Sequence, residues 1–159
     1  MRKPKIYLET SVISHLYAPD VPDKMEDTLA FWEQIKEGMY DVYTSYLMFE
    51  EIGKCSEQKL TLLAGYLNQI EHTRLNILTK EAVFLSDELI KLGILTERHR
   101  FDCNHIALAV AHECDMIVSW NFRHINNIKT INGVRAISLL HGYPAVNIYS
   151  PTVLLKRSE

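Results

Sequence analysis

Residues 7–14 read YLETSVIS. An apolar run ends there on one carboxylate, Glu9, followed by Thr10 and Ser11 and then by Val12 and Ile13. A carboxylate closing an inner strand is costly to desolvate unless something pairs with it or it faces water. Three further positions bear on it. Glu51 follows DVYTSYLMF, with Glu50 beside it; Asp102 lies at the start of FDCNHIALA; Asn121 follows DMIVSW. Acids far apart in the chain and gathered at one place do acid–base or cation chemistry. The spacing of Asp102, His105, Ile106 and Ala109 puts them on one face of a helix. That face is apolar enough to pack inward, and Asp102 sits at its amino-terminal end, where the helix dipole favours negative charge. His105 is expected as a satisfied core histidine and Trp120 as a core side chain. His99 and His124 are expected in solvent.

These positions need elements to carry them. KIYLE reads as a short strand covered on both faces, the kind found in parallel sheets. After the turn APDVPD, Asp23 and Glu26 have the spacing of a capping box before MEDTLAFWEQIKEG, whose Leu29, Trp32 and Ile35 share a face. Gly38 is placed to end that helix. DVYTS predicts a second strand running into a helix at YLMFEEIGKC. Leu60, Leu63, Leu67 and Ile70 mark another helix. LNILT is strand-like, and EAVFLSDELIKLG is helical, with Ala82, Leu85, Leu89 and Leu92 in register before Gly93. FDCNHIALAVAHE is a strongly apolar helix, DMIVSW a strand, and VRAISL one more strand. Strands alternating with helices imply crossovers and a mostly parallel sheet with helices on both faces. Ligands in such sheets sit at the carboxyl ends of the strands, where Glu9 and the residues after DVYTS and DMIVSW fall.

The bulk properties agree with one domain over 1–159. Hydrophobic residues make up 47% and charged residues 23%, enough apolar matter to bury a core. A formal charge of −3 gives no basic coat, so nucleic-acid binding would have to be local or helped by a metal. Cys55, Cys103 and Cys114 are an odd number without a CxxC pair. They argue against a disulfide framework or zinc site and for a reducing, cytoplasmic setting. The short apolar run at MRKPKIYLETSV is expected to be neither a signal peptide nor a membrane span, and no membrane association is expected.

YLETSVIS, TSYLMFEE, FDCNHIALA and DMIVSWNFRHI, in that order, resemble the four motifs of PIN-domain ribonucleases, which include the VapC-like toxins of toxin–antitoxin pairs. The resemblance runs from about Ile6 to Ile125, with a weaker echo in the tail NIYSPTVLL. It implies a three-layer α/β/α domain with a central sheet of about five strands. It implies a ribonuclease dependent on Mg²⁺ or Mn²⁺, an RNA substrate, an antitoxin protein that silences the enzyme, and a homodimer. By position the resemblance makes Glu9, Glu51 and Asp102 the catalytic acids, with Glu9, Asp102 and Asn121 at the metal. Thr10, Ser11, Arg100, Ser119 and Arg123 become the substrate contacts. Two positions depart from the pattern: the first acid is commonly aspartate, and the fourth position, here Asn121, usually carries a charge.

The chemistry suits such groups. Magnesium and manganese are hard cations that prefer oxygen ligands, and a bound ion reverses the sign of an acid cluster that would otherwise repel a phosphodiester. It also activates water and offsets charge on the phosphate. In this reading Glu51 orients waters and the arginines near Asp102 and Asn121 rim the site. Two rivals remain: a PIN-like module that binds RNA or protein without cutting, and a phosphatase. The phosphatase lacks a glycine-rich phosphate loop or nucleophile elbow.

Overall fold

The computed structural model describes residues 2–156; residue 1 and residues 157–159 lie outside the description. Five strands form one sheet: β1 (Lys5–Leu8), β2 (Asp41–Ser45), β3 (Thr73–Leu75), β4 (Met116–Val118) and β5 (Asn147–Tyr149). Their order is β3-β2-β1-β4-β5, and every pairing is parallel. The sheet is therefore wholly parallel where the sequence predicts mostly parallel.

Strand alternation sends successive side chains to opposite faces, and two separate cores result. Ile6, Leu8, Val42 and Val118 join one core with Phe31 and Trp32 of α2 (Pro22–Lys36) and Leu63 of α4 (Glu57–Leu67). Tyr7 and Ile117 join the other with Leu85 and Leu89 of α5 (Lys80–Lys91), Ile106 of α6 (Arg100–Ala111) and Val134 of α7 (Ile128–Leu140). The result is the expected α/β/α sandwich. Burying one such large side chain contributes about 1.5–3 kcal/mol. Three short helices follow strands directly: α1 (Thr10–Ser14) after β1, α3 (Tyr46–Ile52) after β2 and α8 (Pro151–Leu154) after β5. None of the described helices is long and apolar enough to cross a membrane.

The strand order locates a crevice. The chain moves outward from β1 through β2 to β3, then returns to lay β4 on the other side of β1. Where the order reverses, the connections after β1 and β4 leave in opposite directions and open a cleft at their carboxyl ends. Glu9 and Ser119 are the first residues past those ends.

Four expectations are corrected. VRAISL is not a strand but part of α7, whose buried Val134, Ile137 and Ser138 recur at helical spacing. Asn127 caps α7 by accepting the Thr130 N–H at 2.9 Å. Gly133 lets this helix sit against Ile94, whose Cγ1 would lie 2.5 Å from any Cβ there. The fifth strand is instead Asn147–Tyr149, within the tail. LNILT is likewise not a strand: β3 is Thr73–Leu75, an edge strand that buries only Leu75, and polar Thr73 and Arg74 hid it. The α2 helix begins at Pro22 without a side-chain cap, since proline at the first position needs no N–H partner and brings a helical φ. Leu92 and Ile70 fall beyond their helices, and Leu92 is exposed.

Candidate metal centre

Glu9 leaves β1 with its backbone still on the ladder, its N–H donating to the Val118 carbonyl at 3.1 Å. Its side chain caps α1 by accepting the Ser11 N–H on Oε2 at 3.2 Å. Capping does not exhaust it. Oε1 accepts the Ser11 hydroxyl at 2.5 Å and the Ser119 hydroxyl at 2.6 Å. These hydroxyls are themselves braced: Ser11 Oγ accepts the Trp120 N–H at 2.8 Å and Ser119 Oγ accepts the Asn121 N–H at 2.9 Å. Glu9 is thus buried, 4% exposed, and fixed from both strands that flank the crevice.

Glu51 reaches the same place from the last turn of α3, half-buried, while Glu50 points to solvent. Thr10 Oγ1 donates to Glu51 Oε1 at 2.5 Å, and His105 Nε2 lies 2.8 Å from the same oxygen. His105 is fully buried, with Nδ1 2.6 Å from the Tyr7 hydroxyl, which lies 2.8 Å from Ser45 Oγ. One arrangement satisfies the whole chain: Ser45 donates to Tyr7, Tyr7 to Nδ1, and Nε2–H to Glu51. Burial pushes the Glu51 carboxyl up, yet the hydrogen bonds from His105 and Thr10 outweigh it and hold the group below the usual range.

Asp102 comes from the first turn of α6. Its neighbours are His124 Nδ1 at 3.1 Å from Oδ2 and the Asn121 amide, which donates to Oδ1 at 3.4 Å. Burial raises its pKa above the carboxylate norm, and the like charges of Glu9 and Glu51 raise it further; His105 and His124 oppose them. Among the described residues no Lys or Arg nitrogen lies within 4.0 Å of Glu9, Glu51 or Asp102.

The fold therefore brings Glu9 and Glu51 together, while Asp102 sits in an adjoining group with His99 and His124, near enough for the charges of Glu9 and Glu51 to raise its pKa. One ligand atom each from Glu9, Glu51 and His105 falls within a 4.8 Å span. With its Nε2–H aimed at Glu51, His105 braces a ligand rather than acting as one. The carboxylates have imidazole, hydroxyl and amide neighbours but no lysine or arginine within 4.0 Å among the described residues, and their oxygen donors fit a hard divalent cation. Glu9 and Glu51 would hold it, with Asp102 of the adjoining group reaching it directly or through water. The group His99, Asp102 and His124 also offers ligand atoms within 4.8 Å, but its two rings are stacked face to face, 3.8 Å apart. His124 already spends its Nδ1 on Asp102, at 3.1 Å.

The remaining predicted residues take several places. The hydroxyls of Ser11 and Ser119 position Glu9, and that of Thr10 positions Glu51. Asn121 turns its carbonyl oxygen to the His124 N–H at 3.0 Å, so it forms the turn and steadies Asp102 through its amide. Arg100 is drawn away by Glu97 and Asp87, each at 2.6 Å, and by Ser86 at 3.2 Å. Arg123 is exposed at the rim. His124 is no solvated residue, since it pairs with Asp102 and stacks on His99. Trp120 is buried as expected, its indole N–H donating to Thr28 at 2.9 Å. Sequence reasoning missed Tyr7, Ser45 and the bracing role of His105. Two signals pointed to them: a tyrosine in an aliphatic inner strand, and a histidine three residues after an acid on a buried face. Cys103 and Cys114 are core residues, the latter pushed up to about 12 by burial. No family model and no curated protein matches this chain.

Proposed function

We propose that this chain is a divalent-metal-dependent endoribonuclease, and that it is the toxin of a type II toxin–antitoxin pair. The observation that carries the nuclease reading is the pairing of Glu9 with Glu51 at the strand-order reversal, with Asp102 close enough to feel both charges and no lysine or arginine within 4.0 Å of the three among the described residues. The choice of RNA, the antitoxin partner, the homodimer and the cytoplasmic setting rest on the motif resemblance. Mg²⁺ or Mn²⁺ bound there would supply activation of water and charge relief at the phosphate. The chain's own residues do the rest. The hydroxyls of Ser11 and Ser119 hold Glu9 in one rotamer, and Thr10 and His105 hold Glu51. Because Glu51 stays ionised well into acid, it can accept a hydrogen bond from an attacking water and orient it. Asp102, unpaired by any strong base, completes the anionic wall that only a cation makes hospitable to a phosphodiester.

RNA cleavage by purified protein with Mg²⁺ or Mn²⁺ tests this, with Asp102→Asn and Glu51→Gln as comparisons. Loss of about 100-fold or more in rate in each is expected; equal cleavage by all three proteins contradicts it. One observation favours a second reading, a module that binds without cutting: the fourth position is neutral and its carbonyl oxygen is engaged. That reading predicts no cleavage in any of the three.

A further inference from the structure

An acid cluster in a protein of net charge −3 gives no account of how a polyanion is held on either side of the reacting bond. A neighbouring cleft does. It lies between the start of α6 and the turn leading into α7, with a volume of about 380 Å³, within the range of about 300–1,000 Å³ common for small-ligand sites. His99 and His124 line it, stacked with ring centroids 3.8 Å apart. His124 also lies 3.1 Å from Asp102, so cleft and acid cluster share a wall. Leu95 supplies apolar surface.

Three side chains at its mouth have no structural employment that explains them. Phe122 is 47% exposed, although the Lys24 ammonium, 5.3 Å from its ring centroid, and the edge-on Trp120 ring at 6.0 Å hold it in place. Arg123 and Lys129 line the cleft with no carboxylate within 4.0 Å among the described residues. A fixed, exposed aromatic beside two unpaired cations is the combination that binds an unstacked base and its phosphates.

We propose that this cleft is a nucleotide subsite for single-stranded nucleic acid. It takes the base of the nucleotide next to the phosphate at the acid cluster, stacked on Phe122, with Arg123 and Lys129 on the adjoining phosphates. The inference rests on the reading of a polynucleotide as substrate, but not on cleavage.

Fluorescence anisotropy with a labelled single-stranded RNA hexamer, in Ca²⁺ so that the acid cluster is offset by a hard cation and with the length of the RNA checked afterwards by gel, tests it. Phe122→Ala is expected to weaken binding by about 5- to 150-fold, the effect of losing one stacked base. Replacing Arg123 and Lys129 together by alanine is expected to lower the slope of log K against log salt by about 1.4. A Lys91→Ala control on the exposed end of α5 is expected to match the wild type, and a duplex of the same sequence to bind more weakly than the single strand. Circular dichroism confirms that the surface variants are folded. Binding within twofold of wild type for both cleft variants overturns the subsite, as does no binding of the hexamer at any salt, which would leave the cleft to an acidic polypeptide. The two readings fail separately. Cleavage indifferent to Phe122 sinks the subsite alone. Binding that needs Phe122, with no cleavage in Mg²⁺ or Mn²⁺, upholds the subsite and sinks the nuclease.

Discussion

At the amino-terminal edge of the sheet, Asp115 accepts two hydrogen bonds from Arg2, at 2.7 and 2.8 Å, and a third from the Lys5 backbone at 2.7 Å. At the carboxyl edge, Asp102 meets only an imidazole at 3.1 Å and an amide at 3.4 Å. The two aspartates shift in opposite directions. Hydrogen bonding to Arg2 draws Asp115 below the usual range, while burial and the charge of Glu9 lift Asp102 above it. The first acid is placed where the protein itself supplies the counter-charge. The second has only an imidazole and an amide beside it. Cavity size would mislead here, because a cleft of about 470 Å³ lies at the amino edge, lined by acids and bases together: Arg2, Lys3, Lys5, Asp41 and Glu71.

The comparison can be broken at the hydroxyls first. Thr10→Val removes the donor to Glu51 and Ser119→Ala the donor to Glu9, with little change in shape. Each should lower Mn²⁺ affinity by about 10- to 100-fold, the usual cost of losing the group that orients a ligand. Titration calorimetry reads it, and an unchanged affinity would mean that these bonds merely fill the crevice.

Stability offers a smaller and sharper contrast of sign. In metal-free protein Asp102→Asn should raise Tm by about 2–4 °C near neutral pH, because it removes a charge that burial and Glu9 disfavour. Asp115→Asn should lower Tm by about 2 °C, since that pair is largely solvent-facing and screened. The pH dependences also oppose. Asp115 has a depressed folded pKa, so its stabilisation is present above the unfolded value near 3.9 and is lost as pH falls through the folded one. Asp102 has a raised folded pKa, so its penalty is full above that pKa and fades as pH falls through it towards the unfolded value. Melting curves of the three proteins in EDTA across acid pH check both. Shifts of the same sign would show that the two acids are not different in kind.

Much of this was legible in residue order alone. Glu9 and Asp102 could be picked out because strand ends and helix starts are local patterns, Glu51 was chosen over Glu50 by the motif resemblance, and the parallel sheet followed from alternation. What stayed hidden depended on contacts between distant segments. No spacing rule joins Tyr7 to His105, ninety-eight positions apart, or gives the Ser119 hydroxyl to Glu9 rather than to a substrate. VRAISL was misread because its β-branched residues suit a strand, whereas the burial of Val134, Ile137 and Ser138 has a helical period. Arg100 looked like a phosphate contact until Glu97, Asp87 and Ser86 were seen to claim it. Asn121 kept the right place in the chain while its carbonyl went to a turn.

Manganese uptake followed by electron paramagnetic resonance bears most directly on the meeting of these carboxylates at a cation site. The wild-type chain should bind the ion below millimolar concentration and Asp102→Asn should lose most of that binding, while Asp115→Asn keeps it. Wild-type protein that takes up no manganese in that range, or an Asp102→Asn variant that binds it equally well, would contradict the account.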